Sequence, residues 1–253
     1  MKNIIKVIIF TILFSLLFFL VRHPSSWWYQ DTTALLADIG GLTYLYSTVA
    51  TIFALLAAFV ILTESERWNK LNDAIRGELT ELYELYLWSK HFSEKNKIAI
   101  QKNIIMYLEG TIEAGLLPET QDNPKMITVM KEIHNNVYET TKEAPTLTEN
   151  TFAIFTDLLK KREERLEYSA MHLPPILKRT FVFSNILTII LSMMIGVRDF
   201  WLNYVFMLSI AVLGYIIYLL VDDLDNPVQP GNWQLTTNQY KTLLEKIQAE
   251  KQE

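Results

Sequence analysis

The sequence contains no cysteine, which excludes disulfide bridges, cysteine-rich zinc sites and cysteine nucleophiles. Its four histidines form no His-x-x-x-His or Glu-x-x-His pair, and a phosphate loop and a dinucleotide fingerprint are both missing. The net charge of −5 provides no basic field that would attract nucleic acid. We therefore expect a protein that is not an enzyme, with no catalytic residue, no cofactor, no metal site and no nucleic-acid partner.

Hydrophobic residues make up half of the chain and are concentrated in four long runs. The runs cover residues 3–21, 42–62, 180–197 and 200–221, and each approaches the roughly 20 apolar residues that cross a bilayer as a helix. No run carries a charge at its centre, which argues against a proton-coupled pump or secondary transporter. The pattern predicts an all-α membrane protein with four transmembrane helices.

The first run could instead be a cleaved signal peptide, because Lys2 and Lys6 lie at its start. Its apolar stretch is too long for that, and residues 23–28 offer no small-x-small cleavage site. We expect a retained membrane anchor.

Basic residues predict how the spans are oriented. If both termini are cytoplasmic, the outer loops keep only Arg22 and Arg198 of the 23 lysines and arginines, as the positive-inside rule requires. The expected outer aromatic belt consists of Trp27, Trp28, Tyr29, Tyr44 and Trp201. The predicted division is 1–63 for spans one and two, 64–179 for a cytosolic helical domain, 180–221 for a transmembrane hairpin and 222–253 for a cytosolic tail.

The second span is predicted to continue as a helix beyond the membrane. Neither glycine nor proline occurs between Gly41 and Gly77, so nothing in the sequence ends the helix there. We predict one helix from Leu42 to about Trp88, roughly 70 Å long at 1.5 Å per residue. Its distal half carries an apolar stripe at Leu71, Ile75, Leu79, Leu82 and Tyr86.

Three more helices are predicted before the third span. The first carries Ile98, Ile105, Leu108 and Ile112. The second carries Met126, Val129, Ile133 and Val137. The third runs from Thr148, its predicted N-cap, to about Tyr168 and carries Phe152, Phe155, Leu159 and Leu166 on one face.

Short segments around the last spans also carry signals. The charged segment at residues 160–165, which includes Glu163 and Glu164, is interpreted as a solvated, ion-paired helix face. Pro174-Pro175 is expected to break the chain before the third span. Arg198 and Asp199 are expected to form a tight turn between spans three and four, and residues 238–252 a short amphipathic helix.

Polar and apolar residues share one face of the second helix in an ordered sequence. Two threonines are followed by three bulky apolar residues and then a carboxylate, the order found in channels with a polar lining, a dewetting constriction and a charged mouth. Alternatively, the threonines bond back to their own helix or pack against a neighbour. The candidate pore-lining residues are Thr48, Thr51, Leu55, Phe59, Leu62 and Glu66.

A second polar stripe, at Asn185, Thr188 and Ser192, crosses the third span. Such residues face protein or water rather than lipid. We interpret this stripe as an interhelical contact rather than a pore.

The segment after the fourth span provides a motif, Leu224-Asp225-Asn226-Pro227, with Gly231 four residues beyond. It resembles the signature that follows the last span in bestrophin-like membrane proteins. The resemblance extends to the plan of two spans, a helical insertion and a closing hairpin. The dense acidic run that clasps calcium in true bestrophins is missing, since residues 232–239 contain no acid.

The resemblance implies a bacterial inner-membrane channel that assembles as a homo-oligomer, a pentamer in the bestrophins. Copies of the second helix would then surround a central pore for monovalent ions, with Glu66 as a carboxylate ring favouring cations over anions. The lipid bilayer and further copies of the chain are the expected partners. The alternative is a non-conducting membrane scaffold whose cytosolic helices dock another protein.

Overall fold

A computed structural model describes residues 2–22, 41–116, 124–143, 145–195 and 200–251. Within these ranges it contains helices and no strand, which confirms the all-α prediction. In chain order the helices are α1 (Lys2–Arg22), α2 (Leu42–Ser89), α3 (Glu94–Ala114), α4 (Pro124–Glu143), α5 (Pro145–Ala170), α6 (Pro175–Met194), α7 (Phe200–Asp225) and α8 (Asn238–Glu250).

Four of these helices are long and apolar enough to cross a membrane, which confirms the four-span prediction. Their apolar stretches lie within Asn3–Val21, Thr43–Ser89, Pro175–Met194 and Phe200–Asp225. The third begins five residues before the apolar run does, because Pro175 occupies its first turn, where a missing N–H costs nothing. Trp27, Trp28, Tyr29 and the predicted turn at Arg198 and Asp199 lie outside the described residues.

The helices α1, α6 and α7 and the part of α2 up to Ser65 belong to one compact unit, formed by the described residues of Met1–Ser65, His172–Asn226 and Gly231–Trp233. One of its apolar cores joins α2, α6 and α7 through Phe53, Ala57, Val60, Phe181 and Val221. The other joins α1 to α7 through Phe14, Phe18, Met207 and Ala211.

The polar stripe of the third span lies inside this unit. Asn185, Thr188 and Ser192 are all buried. The Asn185 amide donates to the backbone oxygen of Gly214 in α7 at 3.0 Å. Because Gly214 has no side chain, the amide fits directly against the α7 backbone. The interhelical contact is therefore confirmed for Asn185.

The second compact unit consists of Glu66–Met171, Pro227–Pro230 and Gln234–Glu253. The stripe predicted on the distal half of α2 packs into its core, and so does the stripe predicted on α4. From α8 the buried residues are Tyr240, Leu243 and Ile247, which confirms the predicted amphipathic helix.

Two helices of this unit are rotated relative to the sequence prediction. Ile98 of α3 is 59% exposed, and the helix buries Ile100 and Ile104 instead. In α5, Leu159 is 40% exposed while Leu158 is fully buried. Both helices contain adjacent apolar residues that satisfy a helical period in either of two registers, and tertiary packing selects between them.

The start of α5 was also predicted incorrectly. The helix begins at Pro145, so Thr148 lies within its first turn and is not the N-cap. Proline is favoured at the first helical position, because a backbone N–H at this position would have no acceptor within the helix and its absence costs no hydrogen bond.

A buried ion pair lies at the centre of the second unit. Glu78 of α2 and Arg165 of α5 are almost completely buried and bonded to each other. The hydroxyl of Tyr107 in α3 donates to one carboxylate oxygen of Glu78, and the hydroxyl of Tyr240 in α8 donates to the other at 3.1 Å. One carboxylate therefore connects four helices, and its charge is matched by the guanidinium. The interpretation of residues 160–165 as a solvated face is wrong for Arg165.

A glycine of α2 lies under a lysine side chain of α5. Gly77 precedes Glu78, and a β-carbon there would lie 2.7 Å from the side chain of Lys161. The absence of that carbon leaves room for the Lys161 stem one turn before Arg165. Burial and the adjacent Glu78 raise the pKa of Tyr107 and of Tyr240, so both remain hydroxyl donors.

Removing the guanidinium is expected to destabilise this unit strongly. Arg165→Met leaves the Glu78 carboxylate buried without a counter-charge, at a cost of about 3–5 kcal/mol. We expect the thermal unfolding midpoint of the detergent-purified protein to fall by roughly 10 °C. The exposed neighbour provides the control, since Lys160→Met should leave the midpoint unchanged. The double variant Glu78→Gln/Arg165→Met should be more stable than Arg165→Met alone. Equal midpoints for Arg165→Met and Lys160→Met would refute a structural role for the pair.

Candidate functional site

The six candidate pore-lining residues of α2 are all exposed in the single chain. The exposed fraction is 68% for Leu55, 58% for Phe59 and 70% for Leu62. Thr48 and Thr51 precede them on the same face, and Glu66 follows one turn after Leu62. We call this set the α2 stripe.

The opposite face of α2 is the one that packs within the chain. It buries Phe53, Ala57, Val60 and Glu64. At 3.6 residues per turn, these positions lie roughly half a turn around the helix from the α2 stripe. The helix therefore has one face committed to the protomer and one face available to lipid, water or another copy.

The threonine hydroxyls of the α2 stripe bond within their own helix. Thr48 donates to the backbone oxygen of Tyr44 at 2.9 Å, and Thr51 donates to that of Ser47 at 2.8 Å. Each hydroxyl oxygen still has lone pairs that can accept a hydrogen bond. The back-bonding alternative is thus present in the geometry, and both threonines are exposed rather than packed against another described helix.

The carboxylate of the α2 stripe has a cationic partner that sequence reasoning missed. The ammonium of Lys70 lies 2.7 Å from Glu66, and both side chains are at least half exposed. The hydrogen bond and charge of Lys70 lower the pKa of Glu66, so the carboxyl is ionised at neutral pH. The i,i+4 spacing of an acid and a lysine was the available signal. On the C-terminal side of this pair, the same face of α2 continues through exposed residues, namely Asp73, Arg76, Thr80, Glu84 and Leu87.

The tail motif anchors the ends of two spans. The Asp225 carboxylate, buried at the end of α7, accepts from the backbone N–H of Leu173 at 2.7 Å and from Lys178 at 2.7 Å. Asp222 accepts from Lys178 at 3.2 Å. The start of α6 is thus held at the end of α7. Leu224 is buried beside Asp225.

The remaining motif residues shape the turn after α7. Asn226 donates to the backbone oxygen of Asp222 at 3.0 Å, and the backbone oxygen of Pro227 accepts from the N–H of Leu235 at 2.7 Å. A β-carbon on Gly231 would lie 2.8 Å from the Asp223 carboxylate, so any other residue there would have to displace that carboxylate. The motif is a structural device at the end of the last span. Within the described residues no group of histidines and carboxylates could hold a metal ion.

The comparisons with known proteins identify the family. A family model described as Bestrophin-like domain matches residues 8–229. The chain belongs to the bestrophin-like family. This match includes the α2 stripe and most of the tail motif. No curated protein matches the chain.

Solved structures share this bestrophin-like fold. A crystal structure of a bacterial bestrophin homologue from Klebsiella pneumoniae has a TM-score of 0.75 at 13% identity, covering 96% of this chain and 98% of that chain. A second variant of that homologue has a TM-score of 0.73 at 12% identity, covering 98% of both. A third crystal structure, described as a membrane protein, has a TM-score of 0.76 at 14% identity, covering 96% of this chain and 97% of that chain. The likeness establishes the fold.

Neutralising the buried carboxylate of the tail motif should loosen the α6–α7 junction. Asp225→Asn retains an acceptor for the Leu173 N–H but loses the charge that binds Lys178. We expect a loss of about 1–2 kcal/mol, because Lys178 is one-third exposed and its pair is partly screened. Asp222→Asn removes the same charge from the more exposed partner and should cost less. If thermal unfolding ranks the two variants in the reverse order, the assignment of Asp225 as the anchor is wrong.

Proposed function

We propose that this protein is an oligomeric ion channel of the bestrophin type, with a central pore lined by the α2 stripe. The observation that carries the proposal is the uncovered face of α2, which lies opposite the face that packs within the chain. The ring that membership of the family implies would place every copy of this face at a shared axis. The chain itself and the lipid bilayer are then its partners.

The proposed pore has a hydrophobic constriction at Leu55, Phe59 and Leu62. These side chains follow one another along α2 at spacings of four and three residues, so copies around an axis would form successive apolar rings. A narrow apolar segment gates by dewetting, because water leaves it and ions do not cross without water. Thr48 and Thr51, which precede the constriction along α2, supply the polar half of the proposed lining.

The proposed inner mouth is acidic overall and favours monovalent cations. The exposed α2 face from Glu66 onward carries the carboxylates of Glu66, Asp73 and Glu84 against the cations Lys70 and Arg76. A ring of like charges selects ions of the opposite sign. Glu66 lies closest to the constriction, and we assign the preference mainly to it, with Lys70 opposing it.

The contacts at the span ends support a cytoplasmic location for both termini. Asn3 at the start of α1 donates to Asp223 at the end of α7 at 2.7 Å. The start of α6 is bonded to the same end of α7 through Asp225. The first span therefore begins on the side where the last span ends. The basic residues favour the cytoplasm for that side, and we propose the inner membrane of a bacterium as the location.

Charge substitutions at the mouth test the selectivity. The purified protein is reconstituted in a planar bilayer, and the reversal potential is recorded under a potassium chloride gradient. Glu66→Gln leaves Lys70 unpaired and should move the reversal potential toward the anion value, while Lys70→Gln should move it toward the cation value. The control Glu163→Gln makes the same charge change on the exposed face of α5. If wild type and Glu66→Gln reverse at the same potential, Glu66 does not set selectivity. Absence of any current would favour the scaffold.

A polar substitution in the constriction tests the gate. Phe59→Ser should raise the conductance of the reconstituted protein, because a hydroxyl within the proposed constriction keeps water in the pore. Phe183→Ser on α6 replaces another exposed phenylalanine of a span and should leave the conductance unchanged. Equal conductance for the two variants would remove Phe59 from the pore.

A further inference from the structure

A cavity of about 410 Å³ lies between the start of α1 and the end of α7. It falls within the size range of ligand sites in proteins, about 300–1,000 Å³. Its walls are mainly apolar, and its polar residues are Asn3, Asp223 and Asn232, with Trp233 beside them. The apolar wall residues are Ile4, Val7, Ile8, Ile216, Leu219 and Leu220.

The cavity lies at the end of two spans, where the boundary between head groups and hydrocarbon is expected. The first apolar run of the sequence begins at Asn3, and the last one ends at Val221, directly before Asp222. The polar residues of the cavity therefore lie at head-group level, with the apolar walls extending along the two spans. Trp233 is 45% exposed, and its amphipathic ring suits this boundary.

The Asp223 carboxylate is the unusual feature of the cavity. It accepts from the Asn3 amide at 2.7 Å and from the Asn232 backbone N–H at 3.0 Å, and both donors are neutral. Among the described side chains it has no ion pair, whereas Asp222 and Asp225 on either side both pair with Lys178. A carboxylate in an apolar cavity is stabilised by a cation with N–H donors.

We propose that this cavity binds a membrane phospholipid with a primary ammonium head group, of the phosphatidylethanolamine class. The ammonium would donate to Asp223, and an acyl chain would lie against the apolar walls of α1 and α7. A choline head group has no N–H to donate, and an anionic glycerol head group would be repelled by the carboxylate. The site does not depend on conduction, so it stands or falls separately from the channel proposal.

Lipid binding to the delipidated, full-length protein tests the proposal. Phosphatidylethanolamine, phosphatidylcholine or phosphatidylglycerol is added in detergent, and bound lipid is counted by native mass spectrometry. We expect phosphatidylethanolamine to bind about tenfold more tightly than the other two lipids, because only its head group can donate a charge-assisted hydrogen bond to Asp223. Asp223→Asn should abolish this preference, whereas the exposed α8 control Glu245→Gln should retain it. Equal binding of the three lipids by wild type, or an unchanged preference in Asp223→Asn, would overturn the proposal.

A steric pair tests the cavity without touching the carboxylate. Ile8 lines the cavity and is 52% exposed, while Ile12 lies one turn further along α1, outside the lining, and is 55% exposed. Ile8→Trp should fill the cavity and reduce the bound phosphatidylethanolamine, whereas Ile12→Trp should not. Equal occupancy in the two variants would place the lipid elsewhere on the protein and refute this site.

Discussion

An unbroken α2 with two opposite faces is the constraint on which the rest of the structure depends. Its 48 residues contain no proline and a single glycine, Gly77, where a side chain of α5 fills the space that a β-carbon would occupy. The helix contributes Phe53, Ala57 and Val60 to a core of the unit that contains the spans, and Leu71 and Ile75 to the core of the second unit. One face of α2 packs within the chain in both units. The opposite face therefore remains for assembly with other copies or for contact with ions.

The second unit adds a polar centre to its apolar core. A buried ion pair rarely contributes net stability by itself, since desolvation offsets the attraction. Here the Glu78 carboxylate also accepts from Tyr107 and Tyr240, so its lone pairs are used and the charge is matched by Arg165. The arrangement requires four helices to meet at one point. It specifies how α8, which follows the last span, docks into this unit.

Much of the fold could be predicted from the sequence, because apolar runs and helical periodicity are local signals. The four spans, the length of α2 and the stripe of α4 follow from them. Two predictions failed where adjacent apolar residues allowed two registers, at Ile98 and at Leu159. Arg165 was missed because a short segment with charges of both signs normally faces solvent. Its partner Glu78 lies 87 residues earlier, a separation that no local pattern reports.

The spacing of the candidate site residues along α2 could be predicted from the sequence, whereas the residues around them could not. Helical periodicity placed Thr48 to Glu66 on one face of α2, and the structure leaves that face uncovered. Lys70 beside Glu66 changes the electrostatics of the proposed mouth, and the sequence contained the signal for it. The contacts of Asp223 with Asn3 and of Asp225 with Leu173 could not be foreseen, since these partners come from the first helix and from the loop before α6.

The most direct test of this account is the structure of the purified protein assembled in lipid nanodiscs, viewed down its symmetry axis. The account predicts a ring of identical chains in which Leu55, Phe59 and Leu62 of every copy face a central path that water can enter. A monomer, a two-fold dimer, or a ring in which these side chains contact lipid would contradict it.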